Sequence, residues 1–191
     1  MLTLDLLRHG ETELGGGFRG SLDDQLTATG WEQMRQATAE PGSWDAIISS
    51  PLRRCVDFAH ELAQQTGLPL ALQPDLRELH FGDWEGRHAR ELMEECADDL
   101  GRFWSQPYAF TPPGGEPMAL FEQRVLSAVS GLYQQHAGGH VLLVTHGGVM
   151  RLLTARARGL ARDQLLQVEV GHGDRLRLQL DEKGGLQECR C

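Results

Sequence analysis

Two histidines occupy the same kind of position: His9 in Leu7-Arg8-His9-Gly10 and His146 in Val144-Thr145-His146-Gly147. Each follows a short apolar run and precedes glycine, which predicts a strand running into a loop. In open α/β sheets, ligands bind beyond the carboxyl ends of the strands. If the two strands are parallel neighbours, both rings emerge at one edge. Arg54, in the first turns of a helix predicted after Ser49-Ser50-Pro51, lies at the same end of its own strand-helix unit. Glu78, in a polar loop after another apolar segment, can reach that edge too.

Two histidines, two arginines and a carboxylate suit phosphoryl transfer. A neutral His9 imidazole can attack phosphorus and form a phosphohistidine that water then hydrolyses. Arg8, Arg54 and His146 hold the phosphoryl oxygens as charge builds on them, the arginines through a planar fork that stays charged. Glu78 starts protonated, protonates the leaving oxygen, then takes a proton from the attacking water. The scheme needs no metal and no cofactor, and the histidines lack an H-x-x-x-H spacing.

The elements that must position these groups alternate. Leu2 to Leu7 is a strand, followed by a Gly-rich loop (Gly15-Gly16-Gly17-Phe18-Arg19-Gly20) that continues to Gln25. A helix runs to Ala39, capped by Thr27 or by Thr29, which with Glu32 has capping-box spacing, and Pro41-Gly42 stops it. Asp45 to Ser49 is a second strand; Ser49-Ser50-Pro51 opens a helix reaching Gly67 with a possible hydroxyl cap. Pro69 to Gln73 is a third strand, and Leu76 to Gly86 is a polar and aromatic loop. Arg87 to Trp104 is a polar helix, and Pro107 to Pro117, with four prolines and two glycines, is a loop. Together they predict a lid insertion around 87–117. Met118 to His136 is an amphipathic helix, His140 to Thr145 a buried strand, and Val149 to Arg158 an apolar helix. Leu165 to Val170 and Arg175 to Leu180 alternate as two edge strands. This succession predicts one α/β domain over 1–191, a mostly parallel sheet with helices on both faces.

With 191 residues, 40% hydrophobic and 24% charged, the chain suits a single globular core. A net charge of -9 argues against nucleic acid or an anionic membrane as partner, since both need a basic face. It leaves room for a phosphorylated small molecule, because a few arginines can set the local field. Cys55, Cys96, Cys189 and Cys191 have neither zinc spacing nor a disulfide framework, which predicts a reducing compartment. Asp5 and Arg8 break the first apolar run without a cleavage site, and no run has membrane-spanning length. The expected location is the cytoplasm, with oligomeric state open and a homodimer among the options.

The motifs resemble the histidine phosphatase superfamily, in the branch that includes cofactor-dependent phosphoglycerate mutases. They stand as L-R-H-G-E-T at 7–12, S-S-P-L-R-R at 49–54, R-E-L-H-F-G-D-W-E-G at 77–86 and V-T-H-G-G at 144–148. The resemblance implies a three-layer α/β/α sandwich with His9 as nucleophile, Glu78 as acid-base, and Arg8, Arg54 and His146 as the phosphate site. Arg54, rather than Arg53, matches the motif's arginine. The implied substrate-binding set is Arg8, Thr12, Arg19, Gly20, Arg54, His146 and Gly147. Within the superfamily, the short length and the phrase G-E-T-E-L-G-G-G-F-R-G-S-L-D-D-Q-L-T at 10–27 look most like α-ribazole phosphatases. Those enzymes remove the 5′-phosphate of α-ribazole 5′-phosphate in cobalamin synthesis. Gly15 departs from the asparagine the pattern often carries, so a side-chain contact to substrate is either missing or supplied from elsewhere, with Arg19 a candidate.

Rival readings are a broad-specificity phosphatase, a phosphoglycerate mutase, a metallohydrolase, and a non-catalytic phosphate-binding module. The mutases generally carry a longer insertion between the Glu78 and His146 motifs. A non-catalytic module would be expected to lack His9 or Glu78. His80, His88 and His172 have no partner pattern, although His172, in Gly171-His172-Gly173, can border the site. Trp84, Tyr108 and Phe110 read as core or lid packing.

Overall fold

The first strand, β1 (Leu2–Arg8), sorts its side chains by alternation. Leu2, Leu4 and Leu6 enter one core, and Leu7 enters another on the opposite face. The computed structural model describes residues 1–40 and 42–189; Pro41 and Cys191, read above as a helix stop and a terminal thiol, lie outside the described residues. The remaining elements are α1 (Ala28–Thr38), β2 (Ala46–Ser49), α2 (Arg53–Thr66), β3 (Leu70–Leu72), α3 (Ala89–Ser105), α4 (Met118–His136), β4 (His140–Thr145), α5 (Gly147–Ala157), β5 (Arg175–Leu180) and β6 (Leu186–Glu188).

Among the described residues six strands form one sheet in the order β3-β2-β4-β1-β5-β6. The pairs β3-β2, β2-β4 and β4-β1 are parallel, and β5 and β6 add antiparallel. Met34 of α1 and Cys55, Phe58, Ala59 and Leu62 of α2 cover the Leu7 face. Phe121, Val125 and Val129 of α4 and Met150 and Leu153 of α5 cover the other, with Leu92 and Phe103 of α3. The result is a three-layer α/β/α fold. Its mixed sheet has a parallel centre, which brings the carboxyl ends of β1, β2 and β4 together at one edge.

Asp5 is the exception on β1, a carboxylate buried mid-strand. Trp44 Nε1 donates to it at 2.8 Å, and Arg177 donates twice, at 2.6 and 3.0 Å. His140 Nε2 lies 3.2 Å away. Burial opposes its ionisation, but these donors outweigh burial and hold the carboxyl below its usual range.

Two local expectations are corrected, and one left between two residues is decided. Leu165 to Val170 is not a strand: Arg162–Gln167 winds as a 3₁₀ segment, and Leu165 and Val168 are buried at its i, i+3 spacing. The outer edge strand is instead β6, three residues beyond Gly184-Gly185. Thr27, not Thr29, caps α1, its hydroxyl accepting from Gly30 N at 3.0 Å. Neither serine caps α2, which begins at Arg53. The polar helix is also broken: α3 leaves helical geometry at Cys96.

Candidate active site

Register places the two motif histidines side by side. Arg8 on β1 pairs with Thr145 on β4, and His9 N donates to Thr145 O at 3.0 Å. The next residue of each strand end is a histidine, and the ring centroids lie 5.4 Å apart. His9 Nδ1 is 2.8 Å from Gly10 O. A carbonyl only accepts, so Nδ1 carries the proton and Nε2 keeps a free lone pair. The same logic fixes His146. Arg54 Nε donates to His146 Nδ1 at 3.3 Å, so His146 Nε2 carries the proton and donates to Ser50 Oγ at 2.7 Å.

Arg54 and His146 are both 0% exposed, beneath His9. The Arg54 guanidinium donates from Nη1 to Leu22 O at 2.5 Å and from Nη2 to Gly20 O at 2.8 Å, with Asp24 3.7 Å away. It ties α2 to the Gly-rich loop. Arg8 Nη1 donates to Val170 O at 2.6 Å, but its Nε is buried with no hydrogen-bond partner. A Cβ on Gly147 would stand 3.2 Å from that Nε, so the bare glycine lets Arg8 lie against the first turn of α5. An unsatisfied cationic N–H beside a helix N-terminus is a place for an anion.

Glu78 sits across from that turn. Its Oε2 accepts from Gly148 N at 2.9 Å and its Oε1 from Leu79 N at 3.0 Å. Each oxygen accepts once, which leaves a lone pair for a catalytic proton. Arg124 fixes the backbone here, donating to Glu78 O at 2.9 Å. A Cβ on Gly148 would overlap Glu78 Oε1, so a side chain there would displace that carboxylate.

A cavity of about 280 Å³ opens beside His9, with Arg8, Arg19, Glu78 and Arg151 completing its polar end. Its other walls are apolar: Phe18, Phe81, Phe103, Trp104, Leu165 and Leu166 among them. Phe103 and Trp104 come from α3, within the segment read as a lid. Arg19 reaches the cavity while ion-paired to Asp24 at 3.0 Å and donating to Gly15 O. Gly15 has φ +69°, a conformation glycine adopts freely. Thr12 is buried away from the cavity, its hydroxyl without a partner. Gly20 does not line this cavity; it accepts from Arg54 and borders a second one of about 350 Å³, on which Glu78 also lies.

Sequence reasoning missed Ser50, Arg151 and Glu85. Ser50 was read as a cap, but its hydroxyl receives His146. Arg151 follows Gly147 by one helical turn, a spacing that carried the signal. Glu85 accepts from Ser21 N at 2.7 Å, Ser21 Oγ at 2.9 Å, Leu22 N at 2.9 Å and Phe81 N at 3.2 Å, pinning the Gly-rich loop. Trp84 is buried and stacks on Phe110 at 5.7 Å, and Arg162 lies 3.9 Å over Tyr108. Among the described residues no three His, Cys, Asp or Glu side chains cluster as a metal site, and no helix is long and apolar enough to cross a membrane.

Burial, then the Arg54 charge, holds both His9 and His146 well below the usual imidazole range. Both therefore stay neutral in the folded chain, while the unfolded chain takes up protons near pH 6.5. The folded state then binds fewer protons, so stability is full above pH 6.5 and falls with acidification. The expected loss is about 1.4 kcal/mol per pH unit for each histidine kept neutral. Urea unfolding at pH 7.5, 6.5 and 5.5 measures it, and His9→Asn should lose one proton's worth of slope. An unchanged slope in that variant would mean His9 protonates freely in the folded state.

Residues 4–189 match the histidine phosphatase superfamily (branch 1). The chain is 33% identical over 186 residues to the adenosylcobalamin/alpha-ribazole phosphatase of Escherichia coli (strain K12), covering 95% of this chain and 92% of that one. It is 36% identical over 171 residues to the glucosyl-3-phosphoglycerate phosphatase of Mycolicibacterium vanbaalenii, covering 84% and 76%. The crystal structure of the alpha-ribazole phosphatase from Shigella flexneri superposes with a TM-score of 0.83 at 32% identity, over 98% of this chain and 94% of that one. The chain belongs to the histidine phosphatase superfamily.

Proposed function

We infer that this chain is a metal-independent phosphomonoesterase working through a phosphohistidine on His9. The observation that carries this reading is the neutral His9 ring, its Nδ1–H held by Gly10 O and its Nε2 lone pair free at the polar end of the cavity. In the first step that lone pair attacks phosphorus, the ester P–O bond breaks, and Glu78 gives its proton to the departing oxygen. In the second, Glu78 takes a proton from water as the water oxygen attacks phosphorus. The P–N bond breaks, its electrons return to His9, and Glu78 is again protonated. Arg8 and the first turn of α5 stabilise the charge on the phosphoryl oxygens throughout, with the Arg54 cation adding its field from beneath His9, while His146, held by Arg54 and Ser50, packs against the His9 ring.

The substrate we assign is α-ribazole 5′-phosphate. Its leaving group is a riboside of a flat apolar base, and the cavity walls beyond His9 are aromatic and aliphatic. The relatives named for this activity support the same choice. In this reading the whole chain acts as one domain in the cytoplasm, and the segment around 87–117 covers the leaving group.

Phosphate release from a panel of monoesters, in chelator, tests the assignment. The panel includes α-ribazole 5′-phosphate, 3-phosphoglycerate and glucosyl-3-phosphoglycerate. The expected result is a kcat/KM for α-ribazole 5′-phosphate at least tenfold above the others. A preference for either phosphoglycerate would overturn the substrate, and loss of all activity in chelator would overturn the mechanism.

A further inference from the structure

His9 has a second ring beside it. His172 lies beside it, ring centroids 5.6 Å apart and planes tilted by 43°. The loop that carries it is tied to the backbone of the same motif. Arg8 N donates to Asp174 O at 3.0 Å, Gly173 N donates to His9 O at 3.4 Å, and Asp174 accepts from Gly171 N within the turn. Gly173 sits at φ +73°, which favours glycine there and sets how tightly the loop turns. Backbone just after His172 is thus fixed to Arg8 and His9, and Val170 O before it accepts from the Arg8 side chain.

The ring borders a cavity of about 270 Å³ that adjoins the one beside His9 and shares Arg8 and Arg19 with it. Gly15, Gly16 and Gly17 form another wall and bring only backbone. The polar side chains on this cavity are therefore Arg8, Arg19 and His172. Among the described residues, no hydrogen bond is formed by the His172 ring nitrogens. A half-buried ring without a partner, facing two arginines beside a nucleophile, is arranged for an anion that arrives from outside.

We propose that His172 is a third histidine of the phosphoryl site, donating a hydrogen bond to the phosphate group from its place beside His9. This rests on the phosphatase reading for the identity of the anion. Four charged groups face the ring besides His9. Partial burial and then Arg8 and Arg19 disfavour its protonation in the free protein, opposed by Glu11 and Asp174. A phosphate dianion between the arginines and the ring reverses that balance, so binding draws a proton onto His172.

Calorimetric titration of the protein with inorganic phosphate, at pH 6 and 7.5 in buffers of different ionisation enthalpy, reads both affinity and proton uptake. His172→Ala and His172→Phe should weaken phosphate binding about tenfold at pH 6, the worth of one charge-assisted hydrogen bond, and should abolish part of the proton uptake. His172→Gln, which restores a neutral donor, should recover part of the affinity and none of the uptake. Steady-state turnover should show the loss in KM more than in kcat. Wild-type affinity and proton uptake in His172→Phe would overturn the proposal, because the ring would then only pack. Failure of wild type to bind phosphate would overturn it as well. Binding that depends on His172 without turnover of any ester would sink only the phosphatase reading; turnover indifferent to His172 would sink only this one.

Discussion

His9→Ala is expected to lose phosphate release by four orders of magnitude or more, on the order seen when a covalent nucleophile is removed. No other residue lining the cavity beside His9 can take its place. Among the cavity-lining groups, arginines stay protonated, and the mechanism commits Glu78 to proton transfer. His146 spends its Nδ1 lone pair on Arg54 and its Nε2 proton on Ser50. The substitution leaves the fold standing. The backbone bond from His9 N to Thr145 O remains, and the residue lies just beyond β1. Rapid quench with ³²P-labelled substrate gives the direct readout. Wild type should carry label that survives base and is lost in acid, and the variant should carry none. Undiminished turnover by a folded variant would end the phosphohistidine mechanism.

Arg54→Met should damage stability and catalysis together. The side chain is fully buried, and its guanidinium satisfies Gly20 O, Leu22 O and His146 Nδ1 beside Asp24. Methionine fills much of the volume but leaves those acceptors unpaired. Breaking a buried ionic contact in this way costs about 3–5 kcal/mol. The phosphate also loses a cation, and removing one such stabilising donor costs roughly 10²–10³ in kcat. Lysine should not rescue either effect, because a single ammonium cannot follow the fork that reaches three acceptors. Urea unfolding and kcat/KM measured well below the unfolding midpoint separate the two losses. Full specific activity in the folded fraction would show that Arg54 serves structure alone.

The parts of this molecule that were readable from sequence are those where local pattern and tertiary demand coincide. Leu2 to Leu7 and Val141 to Val144 announce strands by composition, and the glycine after each histidine marks where the strand stops. Their adjacency was an inference from topology, and the register of Arg8 with Thr145 supplies it. Leu165 to Val170 failed because its buried Leu165 and Val168 lie three apart, the spacing of a 3₁₀ turn, which so short an apolar run does not distinguish from alternation. Leu186–Glu188 was invisible because three residues are too short for any period to appear. Ser50 was misread for a different reason. A hydroxyl before proline and a helix is ordinarily a cap, and only a histidine 96 residues away gives it other work. Arg19 shows the same limit: its sequence neighbours are glycines and Phe18, while its partner Asp24 appears only once the loop folds back.

The strand order carries a consequence for how the chain is made. Among the described residues β1 pairs only with 140–145 and 175–180, so during synthesis it leaves the ribosome apolar and unmatched. At translation rates of about 5–20 residues per second, roughly ten seconds pass before its first partner emerges. β2 and β3, joined through α2, can meet early, but they lack the strand that leads into His9. Half-finished chains therefore expose a sticky strand to chaperones or to one another. His9 and His146 come together only when the sheet is complete.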